Sequence, residues 1–157
     1  MADLTVTITE SVTLNGAARG SSNALTVTGV DDVFHRIVTV PSGGDTTLVN
    51  FHAAVSTADS SLDVENVKYI RVTNLDNSNP VNLSLRVDVG EDDSAADASA
   101  TLLLEANKSF IMGSPSDGIA VDDDAATIVT TLNNLEAIVA DSISAAVQVE
   151  IFIASVV

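Results

Sequence analysis

The segment Val81-Asn-Leu-Ser-Leu-Arg-Val-Asp-Val89 alternates apolar and polar residues without a break. Such a period of two is typical of a β-strand that buries one face and exposes the other. The same alternation occurs near both ends of the chain, in Leu4-Thr-Val-Thr-Ile8 and in Val147-Gln-Val-Glu-Ile151. Val, Ile and Thr dominate these runs, in keeping with their preference for strands. The pattern therefore predicts an all-β protein.

About ten to twelve short strands are predicted, with little or no helix, because alternating runs recur between loops rich in Ser, Asp and Ala. They lie near 4–9, 24–29, 33–40, 45–52, 67–75, 81–89, 101–105, 108–112, 117–121, 127–132, 135–140 and 145–155. This spacing is typical of an antiparallel β-sandwich, and we expect a jelly-roll-like arrangement. No repeat or Pro/Gly linker divides the sequence, so residues 1–157 are expected to form a single β-sandwich domain.

Two hairpins are predicted where turn-forming residues separate neighbouring strands. The first joins 33–40 to 45–52, and the second joins 67–75 to 81–89. A shift of one residue in either pairing would expose the apolar face to water. The burial pattern therefore predicts both the pairing and its register.

The charge balance excludes several classes of partner. The chain has 22 acidic and 6 basic residues, and its net charge is -16. Nucleic acids and anionic membranes are bound through Lys and Arg, so neither is an expected partner. The absence of cysteine excludes disulfides, thiolate nucleophiles and cysteine-ligated metals. The first residues lack a basic region and an apolar segment, and we expect no secretory signal.

No catalytic set and no cofactor-binding motif is predicted, and we expect a non-enzymatic protein without cofactors. His35 and His52 lack the spacing of a metal site, and no Gly-x-Ser-x-Gly motif is present. The weak metal candidates are Asp122, Asp123 and Asp124. They do not follow the spacing of a calcium loop, so a solvated acidic loop is the simpler interpretation.

The two terminal strands are the candidate interface. The final run, from Val147 to Val157, is long, apolar and free of proline. On an exposed sheet edge it would promote aggregation, so it must lie centrally in a sheet or be covered by another subunit. The first strand presents the same problem, and a monomer with both strands internal is the alternative. The candidate interface residues within strands 4–9 and 145–155 are Leu4, Val6, Ile8, Val147, Val149, Ile151, Phe152 and Ile153.

Several segments together resemble small β-sandwich structural proteins of tailed-bacteriophage virions. They are Tyr69-Ile-Arg-Val-Thr-Asn-Leu-Asp-Asn-Ser-Asn-Pro-Val-Asn-Leu83, Leu102-Leu-Leu-Glu-Ala-Asn-Lys-Ser-Phe-Ile111, Leu135-Glu-Ala-Ile-Val-Ala-Asp141 and Val149-Glu-Ile-Phe-Ile-Ala154. The resemblance covers residues 67–157, and its motifs are generic sandwich hairpins. Asn107 stands where glycine is more usual in such proteins. No functional residues are carried over, since these proteins act through surfaces.

The resemblance implies a capsid cement or decoration protein on the outer capsid surface of a virion, assembled in the host cytoplasm. Its expected partners are further copies of itself, in a homotrimer or other homo-oligomer, and the major capsid protein or other virion proteins. Two alternatives remain open. One is a neck, tail or fibre component, and the other is a lectin-like module that binds glycans through loops 91–94 and 122–124, with or without calcium.

Overall fold

The computed structural model describes residues 1–52, 61–87, 89, 98–122 and 127–157. These residues contain thirteen β-strands and no helix, which confirms the all-β prediction. The strands are β1 (Ala2–Thr9), β2 (Thr13–Leu14), β3 (Ala17–Ala18), β4 (Ser22–Val30), β5 (Asp32–Val40), β6 (Thr46–His52), β7 (Ser61–Asp63), β8 (Val67–Asn74), β9 (Val81–Val87), β10 (Ala98–Leu104), β11 (Ser109–Met112), β12 (Leu135–Ser142) and β13 (Val147–Ser155).

Eight strands form a jelly roll, in which one long antiparallel hairpin is rolled into two facing sheets. In chain order the first of the eight pairs with the last, and the pairing continues inward: β5 with β13, β6 with β12, β8 with β11, and β9 with β10. The four-stranded sheet has the order β11-β8-β13-β5. The five-stranded sheet has the order β10-β9-β12-β6-β7, with β7 parallel to β6. The predicted jelly-roll-like sandwich is therefore confirmed.

The core between the sheets consists mainly of Val, Leu and Ile side chains. Every second residue of β13 points into it, and Val149, Ile151 and Ile153 are completely buried. Phe51 contributes a large aromatic side chain from the opposite sheet. Branched side chains of similar size pack closely on pleated surfaces, so the alternation that predicted the strands also identifies the core.

Neither predicted hairpin forms. β5 and β6 lie in different sheets, and so do β8 and β9. Each short connection therefore carries the chain across the core instead of reversing it within one sheet. A strand with one buried face shows the same alternation whether its neighbour in the sequence lies beside it or across the core, so the pattern could not distinguish the two. Strand β5 pairs instead with β13, from the other end of the chain.

Side-chain hydrogen bonds hold the connection from β8 to β9. Asn74 is buried, and its Nδ2 donates to the carbonyl oxygens of Asn79 (2.9 Å) and Leu104 (3.2 Å). The carboxylate of Asp76 accepts hydrogen bonds from the backbone nitrogens of Ser78 and Asn79, both at 2.7 Å. These backbone hydrogen bonds lower the pKa of Asp76. The local network thus stabilises the crossing between the sheets.

Two predicted strands, 117–121 and 127–132, do not form. Their stretch contributes a single isolated bridge, between Ile119 and Asn133. Ile128 is 92% exposed, so no neighbouring strand covers it within the described residues. Alternation without a hydrogen-bonding partner does not make a strand.

The two terminal strands differ in their surroundings. β13 lies between β8 and β5, so it is central in its sheet and needs no other subunit to cover it. β1 pairs with β4 alone among the described strands, in a separate two-stranded sheet. Of the two terminal strands, only β1 therefore has an edge that no described strand of its own chain covers.

Candidate interaction surface

Residues 2–30 form a two-stranded β-ribbon, which we call the arm. One register runs from Leu4 opposite Val27 to Leu14 opposite Ala17, and the register shifts between Ala2 and Leu4. Backbone hydrogen bonds continue the ladder between the two strand pairs. No described strand outside the arm pairs with it. The arm is therefore a hairpin attached to the jelly roll through the start of β5.

The turn of the arm is encoded by Asn15 and Gly16. Both have positive φ angles, 52° and 79°, as a two-residue type I′ hairpin turn requires. Asn-Gly is the preferred dipeptide for this turn because neither residue is strongly penalised there. The dipeptide is a signal in the sequence that could have predicted the arm.

The base of the arm packs on the outer face of the four-stranded sheet. Leu4, Val6 and Val27 contact a small apolar cluster that includes Tyr69 and Phe152. The two aromatic rings meet edge to face, with their centroids 6.2 Å apart. Burial raises the pKa of the Tyr69 phenol, and the charge of a neighbouring arginine opposes this rise. The base of the arm is thus fixed to its own sheet.

An apolar groove of about 370 Å³ lies between β1 and this sheet. Its floor includes Arg71, Ile111 and Phe152, and its wall is the segment Leu4–Ile8 of β1. Ile8 is the residue nearest the turn of the arm among those that line the groove.

From Leu25, which lies opposite Val6, to Leu14 beside the turn, the apolar face of the arm is about half exposed. Side chains alternate between the two faces of a strand, and residues that pair across the ribbon lie on the same face. Even-numbered residues from 4 to 14 pair with odd-numbered residues from 17 to 27, so these two sets share one face of the arm. Ile8, Leu25, Val12 and Leu14 lie on this face and are 50%, 49%, 53% and 59% exposed. We call these four residues the distal stripe. Glu10 interrupts the stripe, and its carboxylate accepts a hydrogen bond from Ser21 Oγ at 2.8 Å.

The opposite face of the arm is rich in threonine. Thr5, Thr7 and Thr9 point away from the apolar face, and Thr9 Oγ1 lies 3.1 Å from Ser22 Oγ. Thr26, opposite Thr5, is also exposed. The arm is therefore amphipathic, with a polar face to solvent and an apolar face that its own jelly roll covers only in part.

Charge is distributed unevenly between the arm and the rest of the chain. Residues 1–30 contain Asp3, Glu10 and Arg19, so two acids and one base leave a net charge of -1. Residues 31–157 therefore carry -15 of the total of -16. The arm is the part of this chain that can approach another acidic molecule with the least repulsion.

The outer face of the four-stranded sheet neutralises its own central charge. Glu150 accepts hydrogen bonds from His35 Nε2 at 2.9 Å and from Arg71 Nη2 at 2.7 Å. The hydrogen bond from His35 and the interaction with Arg71 lower the pKa of Glu150. Next to this cluster, Val33 and Ile37 of β5 are 48% and 57% exposed. We call these two residues the β5 strip.

The outer face of the five-stranded sheet is polar instead. It carries a shallow groove of about 340 Å³, with Asn82 and Ser84 among its lining residues. Arg86 and Asp45 form an ion pair across it at 3.2 Å. Asp141 also lines the groove, and its Oδ1 is buried without a hydrogen-bond partner in the described part of the protein. The chemistry of this face suits solvent or a ligand rich in hydroxyl groups.

The structure divides the predicted interface residues into two groups. Leu4 and Val6 lie at the base of the arm, and Ile8 begins the distal stripe. Phe152 faces outward and packs against the base of the arm. The other four residues are 0% exposed in the core of the jelly roll, so a second folded copy cannot reach them: Val147, Val149, Ile151 and Ile153. Their assignment to an interface is corrected accordingly, because the central position of β13 buries them within their own chain.

The candidate metal residues gain no support from the part of the chain that is described. Asp122 is exposed, while Asp123, Asp124 and the loop 91–94 lie outside the described residues. No group of three or more His, Asp or Glu side chains suited to a metal ion occurs in the described ranges. His35 and His52 lie in different sheets.

The described residues contain no helix that could span a membrane. No protein-family model matches the chain, and no curated protein or solved structure shows significant similarity to it.

Proposed function

We propose that this protein is a non-enzymatic structural protein of a bacteriophage virion, most specifically a capsid cement or decoration protein. The supporting observation is the arm, which continues an apolar face beyond the sheet that covers its base. An isolated two-stranded hairpin is marginally stable in water, so a partner that covers the distal stripe would also stabilise the arm. An arm of this kind suits a protein that works by joining subunits.

The mechanism is stabilisation of the assembled state. A protein that binds the assembled shell, and not its separated subunits, shifts the equilibrium towards the shell. On the outer capsid surface the arm would lie across joints between copies of the major capsid protein, or between copies of this chain. The charge of -16 would keep the protein away from packaged DNA and soluble before assembly.

The size of the distal stripe favours an oligomer over a single contact. Each of its four side chains is about half exposed, and burying the remainder would contribute about 1 kcal/mol per side chain. Burial of one arm would then contribute roughly 4 kcal/mol to the free energy of binding, which only equals the lowest estimates of the translational and rotational entropy lost on association. Several arms engaged at once, as in a homotrimer, would bind far more tightly than one.

Copy number in purified virions tests the proposal. Quantitative mass spectrometry against the major capsid protein should give about one copy per capsid subunit, or another fixed ratio of that order. A dozen copies per particle would identify a neck, tail or fibre component instead, and absence from the particle would refute a virion role.

A binding assay tests the role of the arm. Recombinant protein should attach to particles that lack it, and the Leu14→Asp variant should attach more weakly because a charge replaces an exposed apolar residue. Thr26→Asp adds the same charge to the polar face of the arm and serves as the matched control. Attachment should persist at high salt, since apolar contacts are not screened. Release of the wild-type protein from intact shells at moderate salt would contradict an apolar attachment.

The polar groove supports a second candidate function, a lectin-like glycan-binding module. Asn82, Ser84, Arg86 and Asp45 present amide, hydroxyl and charged groups of the kind that bind sugar hydroxyls. A glycan array with the wild-type protein and with Asn82→Ala and Arg86→Ala variants tests this role. Binding that both variants lose would favour it, and a repeat with chelator would test the need for calcium. No binding on the array would remove this candidate.

A further inference from the structure

Strand β5 forms one edge of the four-stranded sheet. It pairs with β13 on one side, and no described strand pairs with it on the other. It has nine residues, of which six are exposed, and it is longer than the other edge strands of the two jelly-roll sheets, β7, β10 and β11. It contains no proline, so the backbone N–H and C=O groups along its open side can pair with a further strand.

The side chains of β5 are arranged symmetrically about His35. On the outer face of the sheet, Val33 and Ile37 lie two residues before and two residues after it, and they are 48% and 57% exposed. On the opposite face, Phe34 and Arg36 lie one residue before and one residue after it. The guanidinium of Arg36 already lies 4.7 Å from the centre of the Phe34 ring. A strand with this pattern is complementary to an antiparallel copy of itself.

We propose that β5 of one copy pairs antiparallel with β5 of a second copy, around a two-fold axis at His35. Val33 of each copy then lies opposite Ile37 of the other, so the contact covers the β5 strips of both chains. Phe34 of each copy lies opposite Arg36 of the other, which adds a contact between guanidinium and ring across the two chains. The two four-stranded sheets become one continuous sheet.

The charges of β5 favour this register. The strand contains one acid, Asp32, and one base, Arg36, whereas the whole chain has a net charge of -16. In the proposed pairing Arg36 is a diagonal neighbour of Asp32 in the second copy, which is a favourable arrangement. An axis at Arg36 would instead set two like charges directly opposite each other, and Val33 would face Thr39. The balanced edge also lets two acidic chains approach with less repulsion than elsewhere on the body.

The contact uses no residue of the arm, and it goes beyond the proposed function because it assigns self-association to the jelly roll. A two-fold contact is closed, so pairing would remove the open edge of β5 from further strand addition. The expected homo-oligomer would then be built from dimers. Each dimer would present two arms, and two arms engaged at once bind more tightly than one.

Cysteine cross-linking tests the pairing directly, because the chain has no cysteine of its own. His35→Cys should form a disulfide-linked homodimer on mild oxidation, since facing residues of an antiparallel pair have Cα atoms about 4.5–5.5 Å apart, within the range of a disulfide. Thr39→Cys is the matched control. Thr39 is exposed on the same face of the same strand, but its two copies would lie roughly 26 Å apart. Equal linking of the two variants would overturn the proposed contact.

A mixture of two variants tests the register. Val33→Cys is mixed with an Ile37→Cys variant that carries a tag, so that the two chains differ in mass. Oxidation should give mainly the mixed pair, because Val33 faces Ile37 and not its own copy. Val33→Cys that links to itself as readily as to Ile37→Cys would overturn the register.

Light scattering after size-exclusion chromatography gives an independent readout. The wild-type protein should associate at least into dimers of the 16.1 kDa chain. Ile37→Asp should lose this dimer, because its carboxylate would face Val33 of the other copy. Leu103→Asp adds the same charge at a residue that is 54% exposed on β10, and it should associate as the wild type does. Circular dichroism checks that both variants fold.

Two results would overturn the inference: a wild-type protein that is monomeric at all concentrations, or a dimer that Ile37→Asp retains. If the monomeric protein were abundant in virions, the proposed function would stand without this contact. If the dimer formed but the protein were absent from virions, the contact would stand without that function.

Discussion

Replacing Ile151 by alanine should destabilise the jelly roll strongly. The side chain is 0% exposed and lies in the core on the central strand β13. Truncating such a side chain to alanine costs about 2–5 kcal/mol, because apolar contacts are lost and a cavity remains. A domain of this size loses about 2–4 °C in Tm per kcal/mol, so a loss of about 3.5 kcal/mol predicts a decrease of roughly 7–14 °C.

Urea unfolding followed by circular dichroism measures this effect. The midpoint should fall while the slope stays constant, since the same surface becomes exposed on unfolding. Leu14→Ala is the matched control, because Leu14 is 59% exposed on the arm and should change the stability of the monomer by less than about 0.5 kcal/mol. Measurements at two protein concentrations separate any contribution from self-association. If Ile151→Ala lost less than about 1 kcal/mol, the placement of this residue in the core would be refuted, and β13 would again be a candidate interface.

Three further substitutions test other parts of the structure. Asn74→Ala should cost about 3 kcal/mol in urea unfolding, because buried backbone groups lose their partners, and a loss below about 1 kcal/mol would contradict the network. Gly20→Ala should distort the arm and weaken self-association with little change in Tm, because the added Cβ would lie 2.0 Å from the carbonyl oxygen of Glu10. Gly44→Ala is the control, since a Cβ added there meets nothing within 4 Å. Asp76→Asn should lower Tm at pH 6 more than at pH 2.5. In the folded state the pKa of Asp76 is lower than its usual value of 3.8. The ionised carboxylate therefore stabilises the fold at pH values above 3.8, and this stabilisation is lost as the pH falls through the folded-state pKa. An equal effect at both pH values would contradict this assignment.

The sequence predicted the strands better than it predicted their partners. Alternation identified β8, β9 and β13 within a few residues, because a half-buried strand imposes a period of two on its side chains. It could not tell a hairpin from a crossing between sheets, since both bury the same face. The partner of β5 is β13, and no local pattern in either strand encodes a contact between residues more than 100 positions apart. The expected jelly roll was correct although the two hairpins proposed within it were wrong.

Two turns show how local sequence carries information that alternation does not. Asn15 and Gly16 both adopt positive φ angles, so the Asn-Gly dipeptide marks the end of the arm. Asn107 occupies the position where the resemblance led us to expect glycine, and its φ of 59° explains why either residue is suitable there. Turn chemistry could therefore have predicted the arm, whereas the exposure of its distal stripe depends on where the four-stranded sheet ends.

The two outer faces of the sandwich suggest how an acidic subunit can associate selectively. The face of the five-stranded sheet is polar, while the face of the four-stranded sheet carries aromatic and apolar side chains around a carboxylate that is paired with an arginine. The arm packs on the face of the four-stranded sheet and, like that face, presents apolar side chains. An unpaired β-ribbon with an apolar stripe would be prone to aggregate on a neutral protein. In the proposed assembly the charge of the body would oppose most orientations of approach, and the favourable contacts would be those that join the arm to a surface of low charge. In that proposal the high acidity of the chain and the exposed arm would act together, because repulsion between bodies would limit the surfaces that the apolar stripe can approach.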